Sequence, residues 1–176
     1  MCPPVPGRGD PVARPVWDAI PPFIPNHVSP SLMALEYGTV IADMNVHFRK
    51  TVEYWKEGSK YDLGVARALF KSRKYPYALF IGHLSVEKML KALVVAHTRQ
   101  HAPFTHSLAV LADKTGLSIP PEIKNKLARF MEYYQEGRYP EEQKNFYRRC
   151  TKSFAEFGLK EIEEVLRWCR RKFAAR

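Results

Sequence analysis

Apolar residues recur at helical spacing along most of the chain from residue 46 onward. The segment NVHFRKTVEYWKEG predicts a short helix that ends near Gly58, because glycine is common just past helix C-termini. A second helix is predicted over SKYDLGVARALFKSRK, where Ser59 and Asp62 resemble an N-terminal capping box. Its apolar positions lie on one helical face: Val65, Ala66, Leu69 and Phe70.

The segment YPYALFIGHLSVEKMLKALVVAHT is the most apolar predicted helix, and Pro76 suits its first turn. A helix that is apolar almost all round is expected at the centre of a bundle. It nevertheless carries His83, Glu87 and Lys91, which are four residues apart and form one polar stripe. Polar groups inside a bundle need partners, so another helix, a second subunit or a ligand must supply them.

Three further segments complete the helical pattern. THSLAVLADKTGL predicts a short helix that ends at Gly116, and PPEIKNKLARFMEYYQEG predicts a longer one from its prolines to Gly137. FAEFGLKEIEEVLRWCRRKF carries an apolar stripe with basic residues around it. No segment alternates apolar and polar residues as a strand does. We therefore predict an all-α fold, an antiparallel up-and-down bundle of four to five helices.

Residues 1–45 differ from the rest of the chain. They hold nine of the 14 prolines and have neither helical nor strand periodicity. Proline fixes φ and lacks an N–H donor, so such a segment cannot build regular hydrogen bonding. We predict a proline-rich, disordered tail over residues 1–45, which adds little stability, and one helical domain over residues 46–176.

Composition narrows the class of partner and the compartment. The formal net charge is +10, and residues 1–45 hold two arginines against four acidic residues, so the remainder carries +12. A basic domain of this size attracts polyanions, although solubility through self-repulsion is an alternative role for the charge.

The three cysteines, Cys2, Cys150 and Cys169, lack CxxC spacing, which argues against a disulfide framework and a zinc site. We expect no membrane span and a cytoplasmic location.

Histidines cluster where the central predicted helix ends. His97 and His101 are four residues apart and could share a metal ion if the helix continued that far. A metal site in a helical bundle also requires ligands at Glu-x-x-His spacing, and no histidine lies three residues after a glutamate. The chain also lacks glycine-rich phosphate-binding motifs. We therefore expect neither a metal nor a cofactor.

The segment MEYYQEGRYPEEQKNFYRR interleaves aromatic and basic side chains, and from Arg138 onward it is predicted to connect two helices. The residues concerned are Tyr133, Tyr134, Arg138, Tyr139, Lys144, Phe146, Tyr147, Arg148 and Arg149. Bases of single-stranded nucleic acid stack on such rings, while Arg and Lys contact phosphates. The alternative is a surface segment whose rings pack back onto the bundle.

In this order the motifs are similar to those of the HEPN domain family, named for nucleotide binding in higher eukaryotes and prokaryotes. The resemblance covers roughly residues 54–172 and rests on three short motifs: Glu87-Lys88 with Lys91-Ala92, Thr105-His106 with Leu108, and Arg138-Tyr139-Pro140. It implies an up-and-down helical bundle that forms a homodimer. It also implies a nucleotide or RNA ligand, and pairing with a minimal nucleotidyltransferase in modules of toxin–antitoxin type.

A set of polar and aromatic residues is expected at the ligand-binding or dimer face. These residues are His83, Glu87, Lys88, Lys91, Arg138, Tyr139, Arg148 and Arg149. The first four belong to the polar side of the central helix, and the others to the basic, aromatic connection. We therefore predict a nucleotide- or RNA-binding module. A further interpretation is a helical protein that serves another protein as a structural partner and binds no ligand.

Some members of the family are metal-independent ribonucleases whose Arg-x4–6-His motifs face each other across the dimer. This sequence departs from them, because no histidine follows His106 and Arg138 therefore has no such partner. Arg99 and His106 form the one Arg-to-His match in the chain, across a corner that contains Pro103. The alternative function is thus a ribonuclease in which His106 is the general acid and base and Arg99 holds the scissile phosphate.

Overall fold

The computed structural model describes the backbone of residues 30–136 and 140–174 and the side chains of residues 45–135 and 144–173. Within these residues the chain forms six α-helices and no strand, which confirms the predicted all-α class. The helices are α1 (Pro30–Lys71), α2 (Tyr75–Thr98), α3 (Leu108–Lys114), α4 (Pro121–Glu136), α5 (Pro140–Arg149) and α6 (Lys152–Ala174). The chain divides into two compact units, Met1–Val40 and Ile41–Arg176, and all packing described below belongs to the second.

The two helices predicted on either side of Gly58 are one continuous helix, α1. The prediction of a break was wrong because packing against α2 overrides the local signal. A Cβ on Gly58 would lie 3.1 Å from Cδ of Lys88, so glycine here makes room for a neighbouring side chain. Ser59 does not cap a helix; its Oγ donates to the carbonyl of Ser85 at 2.7 Å, and Oγ of Ser85 donates to the carbonyl of Ser59 at 2.7 Å.

Helix α1 begins at Pro30, inside the segment for which no regular structure was predicted. Residues 1–29 lie outside the described residues. The small contribution of residues 1–45 to stability therefore stays a prediction.

At the other end of the chain, residues 140–149 form α5 where an irregular connection was predicted, so the helices outnumber the four to five expected. This segment starts with proline and glutamates and ends with Arg148 and Arg149, an order that suits the helix dipole.

Contacts between helices establish their directions. Asn45 of α1 contacts Arg99, the residue that follows α2, and Ser59 of α1 contacts Ser85 within α2. Helices α1 and α2 are therefore antiparallel. Lys126 and Arg129 of α4 pair with Glu164 and Glu161 of α6, so these two are antiparallel as well. Close contacts of Leu79 with Gly158 and of Gly82 with Ile162 show that α2 and α6 run in the same direction. Helices α1, α2, α4 and α6 therefore alternate in direction along the chain, as predicted.

The core lies where α2 meets α6, and two glycines bring these helices together. A Cβ on Gly82 would lie 2.6 Å from Cδ1 of Ile162, and one on Gly158 would lie 2.6 Å from Cδ2 of Leu79. The largest fully buried apolar side chains come from α2, α3, α4, α5 and α6: Phe130, Phe146, Leu79, Leu90, Leu93, Leu108, Leu111, Leu127, Ile162 and Leu166. No helix in the described part of the chain is long and apolar enough to span a membrane.

Candidate functional site

The polar stripe predicted on α2 exists, and all three of its side chains are buried. His83 is fully buried, and Glu87 and Lys91 expose only 5% and 9% of their surface. Burial follows from the position of α2, which is covered by α6, α4 and the segment before α3. Charged groups removed from water need opposite charges or hydrogen bonds, so their partners identify the site.

Glu87 lies between two cationic or titratable groups. Its Oε1 accepts from Nζ of Lys91 at 2.8 Å, and its Oε2 is 3.0 Å from Nδ1 of His106. Nζ of Lys91 also lies 5.1 Å from the centre of the Trp55 ring, within the range of a cation–π contact. The chain itself therefore supplies partners for Glu87 and Lys91.

His106 is held in place by the turn before α3. The amide of Thr105 donates to the carbonyl of Pro103 at 2.9 Å, and Oγ1 of Thr105 accepts from the amide of Ser107 at 3.1 Å. Ser107 caps α3 through the amide of Val110. About half of the His106 side chain stays exposed, in contrast to the buried carboxylate that it contacts. The site is thus a buried ion pair that reaches the surface through one imidazole.

Tyr134 of α4 lies between the two histidines of the site. Its ring centre is 5.1 Å from that of His106 and 5.1 Å from that of His83, and Phe80 stacks on it at 6.1 Å. Sequence analysis placed Tyr134 among the aromatic residues near the α4–α5 connection. No short-range signal links it to residues 28 and 51 positions earlier, because the contact depends on how α4 packs on α2.

His83 is neutral at physiological pH. Burial lowers the pKa of His83 to about 4, an effect that the nearby Glu87 carboxylate opposes and that His106 reinforces. Neither ring nitrogen has a hydrogen-bond partner among the described residues. The imidazole is therefore held by ring contacts with Tyr134 rather than by hydrogen bonds.

Lys88 belongs to the α1–α2 contact and not to the polar stripe. Its Nζ pairs with Asp62 at 2.7 Å, and its stem packs against Gly58. The side chain remains about one-third exposed. In this chain Lys88 therefore holds α1 to α2.

Arg99 and His106, the predicted catalytic pair, have different partners within one chain. Arg99 follows the end of α2 with a left-handed backbone (φ 56°), is exposed, and donates from Nη1 to Oδ1 of Asn45 at 3.1 Å. It lines a cleft of about 220 Å³ between α1 and the end of α2, together with Phe48, Arg49, Val52, Glu53, Val95 and Ala96. His106 contacts Glu87 and Tyr134 instead.

Of the two histidines considered for a metal, His101 lies outside the central helix. Helix α2 ends at Thr98, so His101 lies beyond it and contacts the rings of His47 and Phe48, at 6.0 and 6.4 Å. No group of three or more His, Cys, Asp or Glu side chains in the described residues could hold a metal ion.

Part of the predicted aromatic and basic segment belongs to the core. Tyr133 and Phe146 are buried and stack on each other at 6.2 Å, whereas Arg148 and Arg149 are exposed in the last turn of α5. Tyr147 is partly exposed and contacts the ring of Tyr77. Arg138 and Tyr139 lie outside the described residues. The interleaved pattern thus combines core rings with surface charges.

Comparison with known proteins decides the family. Residues 52–172 match the HEPN domain. The chain belongs to the HEPN domain family. Two solved structures have the same fold. TT1696 from Thermus thermophilus is 22% identical with a TM-score of 0.60, and the match covers 69% of this chain and 97% of TT1696. ST0689, described as an archaeal HEPN homologue, is 23% identical with a TM-score of 0.56, covering 69% of this chain and 96% of ST0689. No curated protein matches the chain.

Proposed function

We propose that this HEPN domain binds a nucleotide or RNA and acts beside a minimal nucleotidyltransferase in a pair of toxin–antitoxin type. Binding of a nucleotide or RNA is supported by the surface of the α2–α3 corner, residues 99–107. Its sequence, RQHAPFTHS, contains Arg99, His101 and His106 but no acidic residue. The ring of Phe104 is fully exposed in the middle of the corner.

The chemistry of this corner suits a single-stranded polyanion with bases. An exposed aromatic ring offers a stacking surface for a base, and a neighbouring guanidinium attracts phosphate. Glu87 occupies Nδ1 of His106, so Nε2 is the ring nitrogen available to a ligand. The net charge of +10 supports the same class of ligand through long-range attraction.

Fluorescence anisotropy with labelled single-stranded RNA and a labelled nucleotide tests this function. Arg99→Ala should make the log–log salt dependence of RNA binding shallower by about 0.7 for one lost phosphate contact. Phe104→Ser should lower affinity by about 1–3 kcal/mol without changing that slope, because stacking is not an ionic interaction. Phe157→Ser, which changes an exposed ring on α6, is the matched control. No measurable affinity at low salt would remove the proposal.

The nucleotidyltransferase part of the proposal is supported by the family resemblance alone. The genes that flank this one provide its test, since paired modules are encoded together. Co-purification of this chain with the product of an adjacent nucleotidyltransferase gene is the expected result. Neighbours of unrelated type, with no co-purifying protein, would reduce the proposal to the binding function.

A ribonuclease is the second candidate, and one contact favours it. A carboxylate that accepts from one imidazole nitrogen fixes the orientation of the ring and leaves its other nitrogen for a substrate, as general acid–base catalysis requires. Glu87 stands in this relation to His106. Cleavage of RNA that persists in EDTA and is lost in both His106→Ala and Arg99→Ala would support this activity. Intact RNA after long incubation with the native chain would exclude it.

A further inference from the structure

A small cleft lies between α1 and the C-terminal end of α2, away from the buried ion pair of Glu87. Its volume is about 220 Å³, which exceeds the roughly 150 Å³ of an apolar cavity that accommodates benzene. Part of its wall is formed by apolar side chains from both helices: Phe48, Val52, Val95 and Ala96. The cleft therefore offers a small apolar group a surface to pack on.

The charged side chains of the cleft leave it positive. Its one described carboxylate, Glu53, is already paired with Nζ of Lys56 at 2.7 Å. Arg99 donates to the neutral side-chain oxygen of Asn45 at 3.1 Å. Neither Arg49 nor Arg99 forms an ion pair with any described side chain. Two guanidinium charges thus line the cleft without a counter-charge from the described part of the chain.

The backbone of Arg99 has a conformation that favours glycine. Its φ is 56°, and its amide closes the end of α2 by donating to the carbonyl of Val95 at 3.1 Å. Glycine is the usual residue here because it has no Cβ. A cation at Thr98 would meet the helix dipole equally well without this strain. Strain of this kind is concentrated at binding sites, and here it sets a guanidinium in the wall of the cleft.

We propose that this cleft binds a small molecule with one anionic head group and an apolar body, either a carboxylate or a phosphate monoester. The head group binds the guanidiniums of Arg49 and Arg99, whose paired N–H donors match the oxygens of both groups. The apolar body packs on Val52, Val95 and Ala96. An apolar floor with a few charged groups that fix orientation is the usual composition of a ligand site.

The size of the cleft limits both the ligand and its affinity. Pockets for drug-sized ligands begin at about 300 Å³, so this cleft suits a molecule of about ten non-hydrogen atoms. The dissociation constant of such a ligand should be about 1 mM. Arg99 also belongs to the α2–α3 corner, so an occupied cleft should compete with RNA for this guanidinium. That consequence rests on the proposed function, whereas binding of the small anion does not.

NMR titration of the ¹⁵N-labelled full chain with phenyl phosphate and with benzoate tests the site. A bound probe should shift the amide signals of residues 45–53 and 95–99. Benzyl alcohol lacks the charge and inorganic phosphate lacks the ring, so both should bind at least about tenfold more weakly. Binding of phenyl phosphate alone would assign the cleft to phosphate esters, and binding of benzoate alone would assign it to carboxylates.

Variants of the cleft sharpen this test. Arg49→Gln should raise the dissociation constant of the bound probe by about tenfold, because a charge-assisted contact is lost. Lys50→Gln removes the neighbouring exposed cation, which does not line the cleft, and should change the constant by less than about twofold. Ala96→Leu should abolish binding by filling the cleft, with thermal unfolding as the check that the chain stays folded.

Three results would overturn the proposal: equal affinity for benzyl alcohol and phenyl phosphate, an Arg49→Gln chain with unchanged affinity, or shifts confined to other residues. The outcome is separate from that of the RNA experiments. A chain that binds a probe here and has no affinity for RNA would keep this site and lose only the proposed function.

Discussion

Helices α1 and α2 break the usual rule of burial in opposite ways. Helix α2 buries Glu87 and Lys91 at the centre of the domain, whereas α1 leaves the rings of Tyr54 and Tyr61 in water. Helix α2 tolerates its charges because they pair with each other and with His106. The exposed rings of α1 have no comparable explanation within one chain. Buried charges with partners therefore indicate an internal site, while exposed rings beside a glycine mark a surface that one copy of the chain leaves uncovered.

Breaking the buried ion pair should produce the largest effect. Glu87→Ala would leave Lys91 buried without its carboxylate, which typically costs about 3–5 kcal/mol. Urea unfolding monitored by circular dichroism measures the free energy of unfolding. Glu53→Ala is the control, because it removes the exposed ion pair with Lys56 and should cost less than about 1 kcal/mol. Equal, small losses in both variants would show that water reaches Glu87.

The pH dependence of the free energy of unfolding should reveal the protonation of His83. Its pKa is lowered from 6.5 to about 4 in the folded chain, so the unfolded chain binds more protons between these values. Stability is therefore fully present above pH 6.5 and falls as the pH drops toward 4. The loss is up to about 3 kcal/mol at 1.36 kcal/mol per pH unit.

His83→Leu should flatten this part of the stability curve whatever its effect at neutral pH. Thermal unfolding between pH 4 and 7 measures it, with the exposed His101→Leu as control. An unchanged slope in His83→Leu would mean that groups other than His83 cause the acid sensitivity.

Two glycine substitutions extend the comparison between inner and outer helix surfaces. Gly158→Ala would place a Cβ 2.6 Å from Cδ2 of Leu79 and force α6 away from α2, at a cost of about 1–3 kcal/mol. Gly64→Ala should instead stabilise the monomer by up to about 1 kcal/mol. Chemical denaturation at low protein concentration compares the two variants. A stabilised Gly158→Ala chain would contradict the close contact of α2 and α6.

Removing the exposed rings should have the smallest effect on the monomer. Tyr54→Ser and Tyr61→Ser should each change the free energy of unfolding by no more than about 0.5 kcal/mol in dilute solution, because the rings bury little surface. A large loss in dilute solution would show that the rings stabilise a single copy.

The periodicity of the sequence predicted the all-α class, the central position of α2 and its polar stripe. These properties depend on spacing along one helix, which a sequence displays directly. Local signals failed at Gly58 and at residues 140–149. At Gly58 a space for Lys88, and not the end of a helix, explains the glycine. A turn residue and a packing residue look the same in sequence when the neighbouring helix is unknown.

The sequence by itself determined which groups of α2 would need partners, and it selected His106 through the family motif. Only the tertiary structure decided that His106 meets Glu87, that Tyr134 lies between His106 and His83, and that Arg99 turns toward Asn45. These contacts join residues from 19 to 54 positions apart. Such distances are closed by the packing of whole helices, and packing depends on the shapes of all the buried side chains together.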